Sequence, residues 1–155
     1  MSSSLLNWKR LGTKMVDMIR DTKKIKQIII HCTDTDEPEH DNIETVREWH
    51  ISEKKWSDIG YHYFIDKKGK IFPGRPIEKA GAHCIGQNAN SVGICVSGRK
   101  DFWETQFRAL NFLVTDLMRT FGIKKCDIHP HNYYNGAKSC PNFNIEKIWA
   151  FDTKK

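Results

Sequence analysis

The sequence predicts a single α/β domain with a central mixed β-sheet flanked by helices. Three observations predict it. Strand-like and helix-like stretches alternate along the chain, the pattern of a sheet covered by helices. One strand pair is joined by a tight polar turn, which adds an antiparallel step to a sheet otherwise built by crossovers. The 155 residues, 39% hydrophobic and 28% charged, suffice for one buried core and contain no internal repeat or low-complexity tract.

The elements follow in order. Residues 1–24 read as a basic helical extension ahead of a domain over 25–155. In the extension Leu5, Leu6, Trp8, Leu11, Met15, Val16, Met18 and Ile19 recur near helical spacing between Lys and Arg residues. That pattern predicts a helix packed on the domain, or a basic amphipathic segment that touches a membrane or a partner. The β-branched run 27–32 predicts a buried strand. An acidic loop with Pro38 leads to Asn42, a cap for a helix whose apolar face is Ile43, Val46, Trp49 and His50. Residues 61–66 alternate as a strand, and Lys67-Lys68-Gly69-Lys70 is turn chemistry leading to a short strand at 71–72. A loop rich in Ala, Gly and Asn spans 78–90. The stretch 91–97 then reads as the central strand, with Val92, Ile94 and Val96 on one face and Gly93 and Cys95 on the other. A long helix fits 104–121 through Phe107, Leu110, Leu113 or Val114, Leu117 and Phe121, and Gly122 stops it. A last strand at 125–129 and a short helix at 144–151 complete the chain.

Composition excludes several function classes. No apolar run approaches the ~20 residues of a membrane span. Leu5-Leu6 is interrupted at once by Asn7, Trp8, Lys9 and Arg10, so a secretory segment is not expected and the protein is expected in the cytoplasm. Cys32, Cys84, Cys95, Cys126 and Cys140 are odd in number and lack CxxC spacing, which predicts free thiols rather than a disulfide framework. The net charge of +6 suits an anionic partner, either nucleic acid or a wall polymer. Motifs of RNA-binding sheets and zinc fingers are missing, so direct nucleic-acid binding is not expected.

The candidate chemistry lies in two distant places. His31 ends an apolar strand, and one hundred residues later His131 opens a loop that reaches Cys140 after nine more. Two imidazoles and a thiolate make a zinc site with one vacancy, and the loop is long enough to fold back and offer both its donors to one ion. His129 is a rival to His131. Tyr61 and His62 point to opposite faces of a regular strand, so one of them can face the site and pass a proton. Lys138, two residues before Cys140, can stabilise an oxyanion. His83 stands on a loop that can bind substrate.

These residues resemble a family, the zinc-dependent N-acetylmuramoyl-L-alanine amidases of the type-2 class, especially the phage amidase-type lysozymes. Five pieces match in order over about residues 25–151. They are Ile28-Ile29-Ile30-His31-Cys32; Val46-Arg47-Glu48-Trp49-His50; Ile59-Gly60-Tyr61-His62-Tyr63-Phe64-Ile65; Gly81-Ala82-His83 through Asn90-Ser91-Val92-Gly93-Ile94-Cys95; and His131-Asn132 through Lys138-Ser139-Cys140-Pro141-Asn142-Phe143. The family often has Gly before its second zinc histidine, where this chain has Pro130. The resemblance implies one zinc ion on His31, His131 and Cys140, with Tyr61 and Lys138 catalytic and His83, His62 and Asn90 binding substrate. It implies peptidoglycan as substrate and an endolysin role: a monomer held in the host cytoplasm and released through a holin lesion. A phage RNA polymerase is a further partner it suggests, with residues 1–24 as the contact. A peptidoglycan-binding protein that does not cut is the alternative on the same fold; such proteins generally lack the cysteine ligand that Cys140 would supply.

Overall fold

The computed structural model describes residues 19–152. The apolar spacing noted at Leu5 through Met18 lies outside these residues. Ile19 to Lys24 are described, and they are tied to the domain: Ile19 bridges Lys79, and the Arg20 N–H donates to the Glu78 carbonyl at 2.8 Å.

Five strands form one mixed sheet in the order β3-β2-β4-β1-β5. They are β1 (Gln27–Cys32), β2 (Tyr63–Ile65), β3 (Ile71–Pro73), β4 (Ser91–Val96) and β5 (Ile128–Pro130). β1 pairs in parallel with β4 and β5, and β2 in parallel with β4. The β2–β3 hairpin is the antiparallel step. β1 and β4 are buried along their whole length, as expected where helices cover both faces of a parallel sheet.

The alternation of side chains sorts the strands between two cores. Ile28, Ile30, Val92, Ile94, Val96 and Ile128 face the long helix α2 (Glu104–Phe121), packing on its Leu110, Leu113, Val114 and Leu117. Gly122 ends that helix in the left-handed region at φ 68°. On the opposite face Cys95 and Phe64 pack under Ile43 and Val46 of α1 (Ile43–Glu48). Asn42 caps α1, its side chain accepting the Glu44 N–H at 2.7 Å, and the helix widens into a π turn over Trp49–Glu53. The residues that could do chemistry collect on this second, less apolar face.

Two of the differences from the sequence reading are local. The predicted strand 125–129 opens as a 3-10 turn at Lys125–Asp127, and pairing starts only at Ile128. The predicted helix at 144–151 is a 3-10 helix over Ile145–Phe151, capped by Asn144.

Two buried histidines away from the candidate donors set an acid limit on stability. His62 accepts the Gly93 N–H at 3.0 Å and its other ring nitrogen lies 2.9 Å from the Lys79 carbonyl. His50 accepts the Gly60 N–H at 2.9 Å. Burial pulls both rings from 6.5 down to about 4. The unfolded chain therefore takes up these protons as pH falls through 6.5, whereas the folded chain takes them only near 4. Stability should be full above pH 6.5 and fall on the way to pH 4, by on the order of 3 kcal/mol for His62, with His50 adding in the same direction. Urea unfolding at pH 7 and pH 4.5 measures the drop, and equal midpoints would refute it.

Candidate active site

His31 is carried to the site by β1 and is almost wholly buried. Ile30 pairs with Pro130, so the same register extended by one residue sets His131 beside His31. Their ring centroids are 4.4 Å apart. The chain then loops out and returns, closed by the Asn132 N–H donating to the Cys140 carbonyl at 3.0 Å. Cys140 Sγ accepts the Cys32 N–H at 3.0 Å, which fixes the sulfur at the end of β1. One ligand atom from each of His31, His131 and Cys140 lies within 4.8 Å of the others. His129 stands about 6.6 Å further back along the strand and stacks on Tyr133 at 4.1 Å. Among the described residues it is His131, not His129, that joins the group.

The donor set fits a zinc ion in kind and in setting. Two nitrogens and one sulfur form a three-ligand set that leaves a fourth position open. Burial keeps the His31 ring well below its ordinary pKa, with His131 and His50 adding to the effect, so the ring is neutral and one of its two nitrogens carries a free lone pair. His131 is lowered by burial and then by the Lys138 charge.

Tyr61 packs its ring 5.0 Å from His31 and 5.4 Å from His50. Burial pushes its phenol well above the usual range, with the Cys95, Cys140 and Cys32 thiols adding to the rise. Lys138 is exposed on the wall of a cleft of about 710 Å³ that His131 and His83 also line. Asn135 holds the lysine's backbone by accepting its N–H at 3.0 Å.

The three residues assigned to substrate occupy different places. His83 reaches the cleft wall but is buried, and both its ring nitrogens face protein groups, His31 at 2.9 Å and Ser91 at 3.2 Å. His62 lies beneath the loop, with both ring nitrogens engaged as described above. Asn90 accepts from Gln27 Nε2 at 2.9 Å, and it is Asn88 that lines the cleft. Asn88 Oδ1 accepts the N–H groups of His83 and Cys84 at 2.9 and 3.0 Å. Sequence reasoning missed Trp56, Asn88 and Tyr134 on the cleft wall. Asn88 carried a signal, an Asn in a Gly- and Asn-rich loop that can close a turn by its side chain; the two aromatics carried none.

Two imidazoles and a thiol converging beside an open cleft, on a sheet covered by helices, define the layout of a metal-assisted hydrolase. Within that class the chain belongs to the N-acetylmuramoyl-L-alanine amidase family, whose model matches residues 21–143. These enzymes hydrolyse the amide bond between N-acetylmuramic acid and L-alanine in peptidoglycan, and this is the activity of the chain. It is 30% identical over 135 residues to an endolysin of Klebsiella phage KP32, covering 82% of this chain and 87% of the relative. An endolysin of Enterobacteria phage K11 is 31% identical over 133 residues, covering 81% and 85%. Among solved structures, the N-acetylmuramoyl-L-alanine amidase LysC from Clostridium intestinale URNW superposes with a TM-score of 0.70 at 29% identity, covering 89% of this chain and 93% of that one.

Proposed function

We propose that the chain is a zinc-dependent amidase acting as a phage endolysin, with His31, His131 and Cys140 as the metal ligands and Tyr61 and Lys138 as the catalytic side chains. The observation that carries this reading is the convergence of the three donors within 4.8 Å beside the cleft. Zinc held there would polarise the scissile carbonyl and make a nucleophile of water near neutral pH.

The chain's own groups supply the rest. The cleft receives the stem peptide between the 82–88 loop and the 131–138 loop, which brings the scissile amide to the open side of the three donors. Tyr61, packed between the His31 and His50 rings, would present its hydroxyl to the attacking water and serve as the group through which a proton reaches the leaving amine. Lys138 offers an ammonium to the oxygen that gains negative charge. His83, His62 and Asn90 support the walls of the cleft, and Asn88 is the polar side chain of that loop best placed to meet the substrate.

The endolysin role rests on the phage relatives. It implies a chain held in the host cytoplasm and released through a holin lesion, and a net charge of +6 favours approach to an anionic wall. Among the described residues no helix is long and apolar enough to cross a membrane. Polymerase binding, with residues 1–24 as its contact, is a second activity of this role; deleting residues 1–18 tests it by loss of pull-down with wall cutting retained.

Purified protein incubated with peptidoglycan should release stem peptides bearing a free L-alanine amino terminus, read by mass spectrometry. It should also carry about one zinc per chain by elemental analysis. Intact stems would leave a binding protein on an amidase fold.

A further inference from the structure

A line of hydrogen bonds runs from a backbone carbonyl to His31 through two side chains. Ser91 Oγ lies 2.6 Å from the Gln87 carbonyl oxygen and 3.2 Å from His83 Nε2. His83 Nδ1 in turn lies 2.9 Å from His31 Nε2. A carbonyl can only accept, so the single Ser91 proton is spent on Gln87. Ser91 Oγ must then accept from His83, which places the His83 proton on Nε2. The two ring nitrogens of the buried His83 face His31 Nε2 and Ser91 Oγ, neither of them an anion, and a buried imidazole without a counter-ion is neutral. Its Nδ1 is then a bare acceptor, and His31 must donate from Nε2. The reverse assignment would set two unprotonated oxygens 2.6 Å apart. One arrangement of protons satisfies every contact, and it leaves the lone pair of His31 on Nδ1.

The seat of the His83 ring is built rather than incidental. A Cβ at Gly93 or at Gly81 would come within 2.5 Å of the ring, so only glycine at both positions admits it. Asn88 pins the His83 backbone. Arg20 clamps the base of the line from outside, donating to the carbonyls of Ser91 at 2.7 Å and Asn88 at 3.0 Å.

We infer that Ser91 and His83 are positioning residues that select the tautomer of His31 and aim its Nδ1 at the metal. The inference rests on His31 being a ligand, as proposed above. Outer partners of this kind orient a ligating imidazole and raise its basicity, and their loss typically costs about 10–100-fold in metal affinity. Neither residue touches substrate in this role.

Nitrogen-15 NMR of the metal-free protein reads the tautomers directly, without a variant and without zinc. Protons on Nε2 of both His31 and His83 are expected, and a proton on His31 Nδ1 overturns the inference. Zinc affinity by competition with a chromophoric chelator provides the second readout. Ser91→Ala should bind zinc at least about tenfold more weakly, while Ser91→Thr, which keeps the hydroxyl, should restore it. A zinc-binding wild type with unchanged affinity in Ser91→Ala overturns the positioning role alone. A wild type that binds no zinc removes the metal reading itself, whatever the tautomers.

Discussion

Cys140→Ala should abolish wall cutting and reduce the zinc content of the purified protein to background. Cys140 is the one sulfur donor of the group, and removing it leaves two imidazoles, fewer protein ligands than such a site uses. The fold should survive. Cys140 sits half-buried on a loop outside both apolar cores, and the contacts it loses include the Cys32 N–H bond to its sulfur and the longer one from its sulfur to the Cys32 carbonyl. Elemental analysis, a thermal melt and peptidoglycan digestion on one preparation separate the causes. Loss of zinc and cutting with the melt of the metal-free wild type is the expected pattern. Equimolar zinc and normal release of stem peptides would remove Cys140 from the ligand set. Cys32→Ala is the control: Cys32 is buried beside Cys140 but is not a member of the three-donor group, so its loss should leave zinc bound.

The same cysteine shows why parts of the site were legible in the sequence. His31, His131 and Cys140 are donor residue types at places where a strand ends or a loop turns back, and residue chemistry alone made them candidates. Residue types alone left His129 as a rival; the family resemblance pointed to His131, and the β1–β5 register, a long-range property that residue patterning does not encode, sets that residue beside His31. The strand 27–32 and the helix 104–121 were read to the residue because each owes its form to a local pattern, a β-branched run in one and an apolar stripe ended by Gly122 in the other. The strand at 125–129 was misplaced because three residues of 3-10 turn with mixed polarity look like strand to a period-two reading. His83 was expected on a flexible loop facing substrate. Its place against His31 depends on Gly81 and Gly93, which meet only in the folded chain. Ser91 read as an ordinary strand residue for the same reason: its partners, Gln87 and His83, reach it from the preceding loop.

Tyr61→Phe and Lys138→Ala should each lower turnover by about a hundredfold or more while zinc stays bound. Neither residue is a donor in the metal group, so metal content and chemistry should come apart in these variants, unlike in Cys140→Ala. Phenylalanine keeps the ring packed between His31 and His50 and removes only the hydroxyl, so a fall in kcat with little change in KM would mark a group that acts as the bond breaks. Lys138 is exposed, and its side chain packs in neither core, so its removal should cost little stability. If its ammonium stabilises the developing oxyanion, the loss falls on kcat, and Lys138→Arg, which keeps the charge with a different reach, should recover part of it. If the lysine instead only draws substrate to the cleft, the loss falls on KM and is erased by salt, because attraction at an exposed site is screened within a Debye length of about 8 Å at 0.15 M. Steady-state kinetics on a soluble muramyl peptide at low and high salt distinguish the two. A Lys138→Ala enzyme with normal kcat would end its assignment to the chemical step and leave Tyr61 as the one side chain outside the metal group that acts on the reacting atoms.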